Sequence, residues 1–188
     1  MNDLNGVCGI AVGAIRAALR DEHPPDLRAV DGTLARPGAA FVTLERDETL
    51  LGCVGTLEPV RPLALQIARH ALDAAFTDPR VPAITCRDYE TMSVKVSVLS
   101  RLQPLAVGSV EQLAAALRPG VDGVVVQLGA RRATFLPSVW RKVSRVDDFL
   151  AALWHKAGLP PATWPSGMQA STYTAFEYSD APPRRLAG

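Results

Sequence analysis

The sequence predicts an α+β fold with a mixed or mainly antiparallel sheet and flanking helices. Two pairs of short β runs are each joined by a tight polar turn, and such pairs read as antiparallel hairpins. Apolar residues recur at helical spacing in four other segments. No strict strand–helix–strand repetition appears, which argues against a doubly wound parallel sheet.

The first helix is expected over residues 7–20, where Ile10, Ala11, Ala14, Ile15, Ala18 and Leu19 fall on one stripe. Pro24 and Pro25 end it, and residues 26–38 form a turn-rich connection. Runs at 40–44 and 49–54 then flank the charged turn 45–48 as a hairpin. Pro62 opens a second helix whose buried stripe is Leu65, Ala68, Leu72, Ala75 and Phe76, stopped by Asp78-Pro79. A loop follows through Tyr89. In residues 92–98 Met92, Val94, Val96 and Val98 face one side and Ser93, Lys95 and Ser97 the other, the pattern of a strand with one buried face. Ser109 with Gln112 signals a capped helix closed by Pro119-Gly120. A second hairpin spans 124–136. Ser144 with Asp147 is expected to cap a helix over Phe149, Leu150, Leu153 and Trp154, ended by Gly158. The last β run is 171–178, and the proline-containing tail 181–188 is expected to be loose.

Composition bounds the function. With 48% hydrophobic and 21% charged residues the chain is that of a globular protein, and its 188 residues suit one folding unit. A net charge of +1 provides no overall field for nucleic acid or a membrane surface. The apolar stretch 7–15 resembles a signal-peptide core, but Asp3 stands where a basic leader belongs, and no run approaches the roughly 20 apolar residues of a membrane span. A cytoplasmic protein is expected. Cys8, Cys53 and Cys86 are odd in number and widely spaced, and His23, His70 and His155 are scattered, so neither a disulfide framework nor a metal site is indicated. No motif names a cofactor.

The string Leu51-Gly52-Cys53-Val54-Gly55-Thr56-Leu57-Glu58-Pro59 is the most unusual in the chain. Glycines on both sides of a thiol, after a β run and before a helix, can aim that thiol and bare amides into a cleft. Near a helix N-terminus such a thiol would ionise more readily, which makes Cys53 the candidate nucleophile. The alternative is that Cys53 is a small buried hydrophobe and the glycines mark a bulge. A Cys–His pair would need His70 or His155 beside it, and spacing brings neither close. Glu58, Asp73, Asp78, Asp88 and Glu90 could act as general acid or base, with nothing to pair them specifically. Residues 131–142 are basic at both ends with Phe135 and Trp140 between. They read either as an RNA-binding strip or as a strand with core aromatics.

Together with 41–44, Asp78-Pro79-Arg80, 94–100, Val121-Asp122-Gly123, 133–137 and 156–160, this string resembles the AMMECR-type domain family, in its bacterial branch the AmmeMemoRadiSam system protein A. The resemblance covers residues 7–178. It implies a compact domain with a larger and a smaller lobe over residues 1–180, and a cleft at the Gly-Cys string lined by Gly52, Gly55, Thr56, Glu58, Pro137 and Ser138. It further implies work alongside a Memo-type protein and a radical S-adenosylmethionine protein, as a catalytic or accessory subunit or as a non-catalytic interaction module. Leu51 stands where that family commonly has Arg, and Ser138 where it often has Gln; if those two side chains bind an anionic or polar ligand in the family, both contacts are lost here.

Overall fold

A computed structural model of the chain describes residues 6–27 and 30–186. It divides into two compact units: residues 1–99 with 176–188, and residues 100–175. Each carries its own four-stranded sheet.

In the first unit the strands β1 (Ala39–Arg46), β2 (Thr49–Gly55), β3 (Ser93–Leu99) and β8 (Ala175–Asp180) are ordered β2-β1-β3-β8. β1 pairs antiparallel with both β2 and β3. Helices α1 (Val7–Leu19) and α2 (Leu63–Phe76) pack on each other and against this sheet. The strands alternate as a half-buried sheet must: Val42, Leu44, Val94 and Val96 are sealed in the core with Ile15 and Ile67. Thr43 and Lys95 lie between them along the strands and belong to the other face. The β1–β2 turn is tighter than its charged sequence suggests, with only Asp47 and Glu48 outside the strands, both at positive φ.

Pro62 stands just before α2 rather than inside it, and a short helix α3 (Cys86–Thr91) occupies what reads as loop in the sequence. Its signal is a capping box: Asp88 N–H donates to Thr85 Oγ1 at 3.3 Å and Thr85 N–H donates to Asp88 Oδ2 at 2.9 Å. The segment after β8, expected to be loose, is held through Leu186. Arg184 N–H donates to Glu90 O, its buried guanidinium donates to Met92 O and pairs with Asp180, and Arg20 Nη1 donates to Leu186 O.

In the second unit β4 (Gln103–Leu105), β5 (Gly123–Leu128), β6 (Arg131–Phe135) and β7 (Gln169–Tyr173) run in the order β4-β7-β5-β6, all antiparallel. Helices α4 (Val110–Ala116) and α5 (Val146–Lys156) and the 3-10 turn Pro137–Arg141 complete it. The α4 cap forms at Ser109, whose Oγ accepts from Gln112 N. The cap expected from Ser144 does not form: Arg145 precedes α5 and no side chain bonds its first turn. The predicted β run 171–178 is broken at Thr174 and feeds two sheets. Thr174 N–H donates to Ser100 Oγ and its carbonyl accepts from Ser100 N–H, so these residues close the point where the chain enters and leaves this unit. No helix among the described residues is long and apolar enough to cross a membrane.

Two features yield tests. A Cβ at Gly52 would lie 1.9 Å from Ala74 O of α2. Gly52→Ala is therefore expected to destabilise the protein by about 3 kcal/mol or prevent folding, read from urea unfolding. His70 on α2 is buried with neither ring nitrogen hydrogen-bonded, and burial lowers its pKa. Because burial makes the folded state take up this proton less readily than the unfolded chain, which protonates near pH ~6.5, the contribution is complete above that value and falls as pH drops below it. In urea melts at about pH 7.5 and about pH 5.5, His70→Leu should lose less stability across the interval than the parent chain.

Candidate functional site

The Gly-Cys string lies on β2, at the edge of its sheet. Leu44 pairs with Gly52 and Glu45 with Leu50, so Leu51 is the extra residue of a bulge, and its side chain packs on the hydrophobic core. Both glycines answer to close packing. Gly52 lets β2 approach the α2 backbone, and a Cβ at Gly55 would fall 2.3 Å from the Phe41 ring and 2.5 Å from Ala40 O. The string therefore builds an extended strand rather than a nest of bare amides, and Cys53 sits within β2, well before the start of α2.

Cys53 itself is half-buried and pairs across the sheet with Thr43, whose hydroxyl donates to its sulfur at 3.3 Å. Its backbone N–H and C=O point outward from the edge, where a further strand would normally bind them. Two side chains take that place. Cys53 N–H donates to Asp78 Oδ2 at 2.9 Å, and Arg80 Nη2 donates to Cys53 O at 2.7 Å. Arg80 in turn grips Asp78 through its own N–H (3.1 Å), Nε (2.9 Å) and Nη2 (2.6 Å). The Asp78 side chain is 1% exposed and the Arg80 side chain 58%. The Arg80 guanidinium, aided by the Cys53 and Arg80 amides and opposed by burial, holds the Asp78 carboxyl well below the usual carboxylate range. Hydrogen bonding to Asp78 raises the Arg80 pKa.

The other expected site residues fall as follows. Thr56 Oγ1 accepts from Glu58 N–H at 3.1 Å in a turn just beyond β2, and Glu58 is exposed. Pro137 and Ser138 belong to the second unit, in its 3-10 turn. His70 makes no hydrogen bond through either ring nitrogen and so does not partner Cys53, while His155 is exposed on α5 of the second unit. Asp88 serves the α3 cap and pairs with Arg46 at 2.7 Å, and Glu90 Oε1 accepts from Leu186 N–H. Cys8 is buried, its thiol pushed up to about 11 by burial, whereas Cys86 is exposed. In the basic strip, Trp140 is buried and stacked on Phe149 with ring centroids 3.7 Å apart, which removes it as a platform for bases. Among the described residues no cluster of His, Cys, Asp and Glu could hold a metal. Sequence reasoning grouped Asp78 with unspecific acids and left Arg80 without a role. The signal was Asp78-Pro79-Arg80 directly after α2, which only the fold brings against β2.

A comparison with family models matches the chain to AMMECR1 over residues 8–178. The chain belongs to the AMMECR1 family. Among AMMECR1-like relatives, a protein of Methanothermobacter thermautotrophicus is 40% identical over 122 residues, which is 64% of each chain. A protein of Thermofilum pendens is 35% identical over 161 residues, covering 78% of this chain and 70% of that protein. The chain thus spans just under two thirds of the first relative's length. The crystal structure of uncharacterized protein PH0010 from Pyrococcus horikoshii shares the fold with a TM-score of 0.86 at 28% identity, over 95% of this chain and 92% of that one.

Within this AMMECR1-family chain the Asp78 clamp is open to direct test. Removing one partner of a buried pair typically costs about 3–5 kcal/mol, and the exposure of Arg80 reduces that. Asp78→Asn is expected to cost about 2 kcal/mol by urea denaturation at neutral pH. A depressed folded pKa stabilises fully above the unfolded value near ~3.9, and that stabilisation is lost as pH falls below it. The deficit of Asp78→Asn should therefore shrink in acid.

Proposed function

We propose that this protein is a partner-dependent accessory subunit, working with a Memo-type protein and a radical S-adenosylmethionine protein, whose functional face is built around Cys53. The partner classes rest on the family resemblance of the Gly-Cys string and its companion motifs. The observation that carries the choice of face is the fixing of Cys53: the hydroxyl of Thr43 holds its sulfur, Asp78 and Arg80 hold its backbone, and the residue is half-buried rather than sealed.

A second reading, a non-catalytic docking module, is favoured by one specific observation. No described carboxylate or imidazole hydrogen-bonds the Cys53 sulfur, so no general base is in place to activate it. The two readings share the face and differ in what the thiol does there.

The test uses the full chain with the two candidate partners produced from the same organism. Binding at micromolar concentration, with Cys53 shielded from iodoacetamide in the complex while Cys86 still reacts, is the expected result. If neither partner is retained, or if Cys53 stays as accessible in the complex as alone, the reading fails. Cys53→Ser that binds normally but abolishes turnover in the assembled system selects the catalytic version, and unchanged turnover selects the docking module.

A further inference from the structure

Arg80 holds more hydrogen-bonding capacity than the clamp consumes. Its Nε and Nη2 are committed to Asp78 and to Cys53 O, while Nη1 makes no hydrogen bond to any described residue. A guanidinium fixed along one edge by a buried carboxylate and 58% exposed overall is oriented before any ligand arrives. It therefore loses little side-chain freedom on binding, and its planar fork suits carboxylate and phosphate oxygens. Because Asp78 neutralises the pair in sum, the attraction is short-range and directional. Its reach is set by where Nη1 lies, beside the residue that carries the thiol.

We propose that Arg80 and Cys53 form a subsite for a small anion, a carboxylate or a phosphate, with Arg80 Nη1 reading the charge and the Cys53 thiol beside it. This rests on the Cys53 face being the functional one and adds the charge class of what it takes. The ligand enters at the β2 edge, where the guanidinium stands in place of a neighbouring strand.

The test compares two alkylating probes of similar size, anionic iodoacetate and neutral iodoacetamide, on the full chain without partners, with mass spectrometry resolving Cys53 from Cys86. Cys86 is exposed and serves as the internal standard. The iodoacetate-to-iodoacetamide rate ratio is expected to be about fivefold higher at Cys53 than at Cys86, the size of a partly screened charge contact, and to fall with salt. Arg80→Gln should bring the Cys53 ratio down to that of Cys86, and Arg80→Lys should restore part of it. Since Arg80→Gln leaves Asp78 without its main partner and can unfold the chain, the parent protein carries a test of its own. Inorganic phosphate or succinate should slow iodoacetamide at Cys53 and leave Cys86 unchanged, and whichever protects at lower concentration identifies the head group. Equal ratios at the two cysteines, or no protection by either anion, overturn the proposal. Partner binding is absent from every arm, so this outcome is separate from failure of the accessory-subunit reading.

Discussion

The carboxylate of Asp78 is the point on which the first unit turns. It sits immediately after α2, almost without exposure to water, and accepts hydrogen bonds from the Cys53 amide, the Arg80 amide and the Arg80 guanidinium. A charge so placed is tolerable only when its lone pairs are filled, and here the Cys53 amide of β2 and the amide and guanidinium of Arg80 fill them. In doing so it ties the end of α2 to the edge of the sheet, ends that edge, and sets where Arg80 can stand. The second unit repeats the device. Buried Asp122 accepts from the Arg118 amide and guanidinium, and its carbonyl accepts from the indole of Trp140.

Glycines complement these clamps. Gly52 brings a strand against helix backbone, Gly55 makes room for the Phe41 ring, and Gly123 accommodates the Tyr173 ring, whose hydroxyl donates to Phe135 O. Strings that look chemical in one dimension are thus largely devices for close approach. What they leave over for chemistry is narrow: a half-buried cysteine, a hydroxyl bonded to its sulfur and a guanidinium with unused donors. That remainder, rather than the glycines, is where recognition is to be sought.

The elements that could be read from the sequence are those whose burial repeats with a clear period. The alternation of β3 and the two hairpins stand where the residues indicate, whereas the face α1 buries is turned from the expected stripe: Ala11, Ala14 and Ile15 are sealed, Ala18 is exposed, and Val7, Cys8 and Ala17 are buried in addition. Short elements carried less signal. β4 is three residues long, and α3 is announced only by Thr85 and Asp88. The run at 171–178 shows uninterrupted β character and yet divides at Thr174, since a two-residue period says which face a residue joins but not which sheet. Composition registers the prolines after β8 and misses Arg184, whose carbonyl and carboxylate partners come from Glu90, Met92 and Asp180.

From the sequence by itself follow the α+β class, the family, and the marking of residues 51–59 as unusual, because local propensity, periodicity and turn chemistry are written within a few residues of each other. Only the tertiary structure decided that the glycines serve packing, that Leu51 belongs to a bulge and a core, and that Asp78 and Arg80 meet Cys53 across twenty-five and twenty-seven residues of chain. The reason is physical. A hydrogen bond to the outward edge of a strand depends on which strand is outermost and on what lies beside it, and neither is a property of any local stretch of residues.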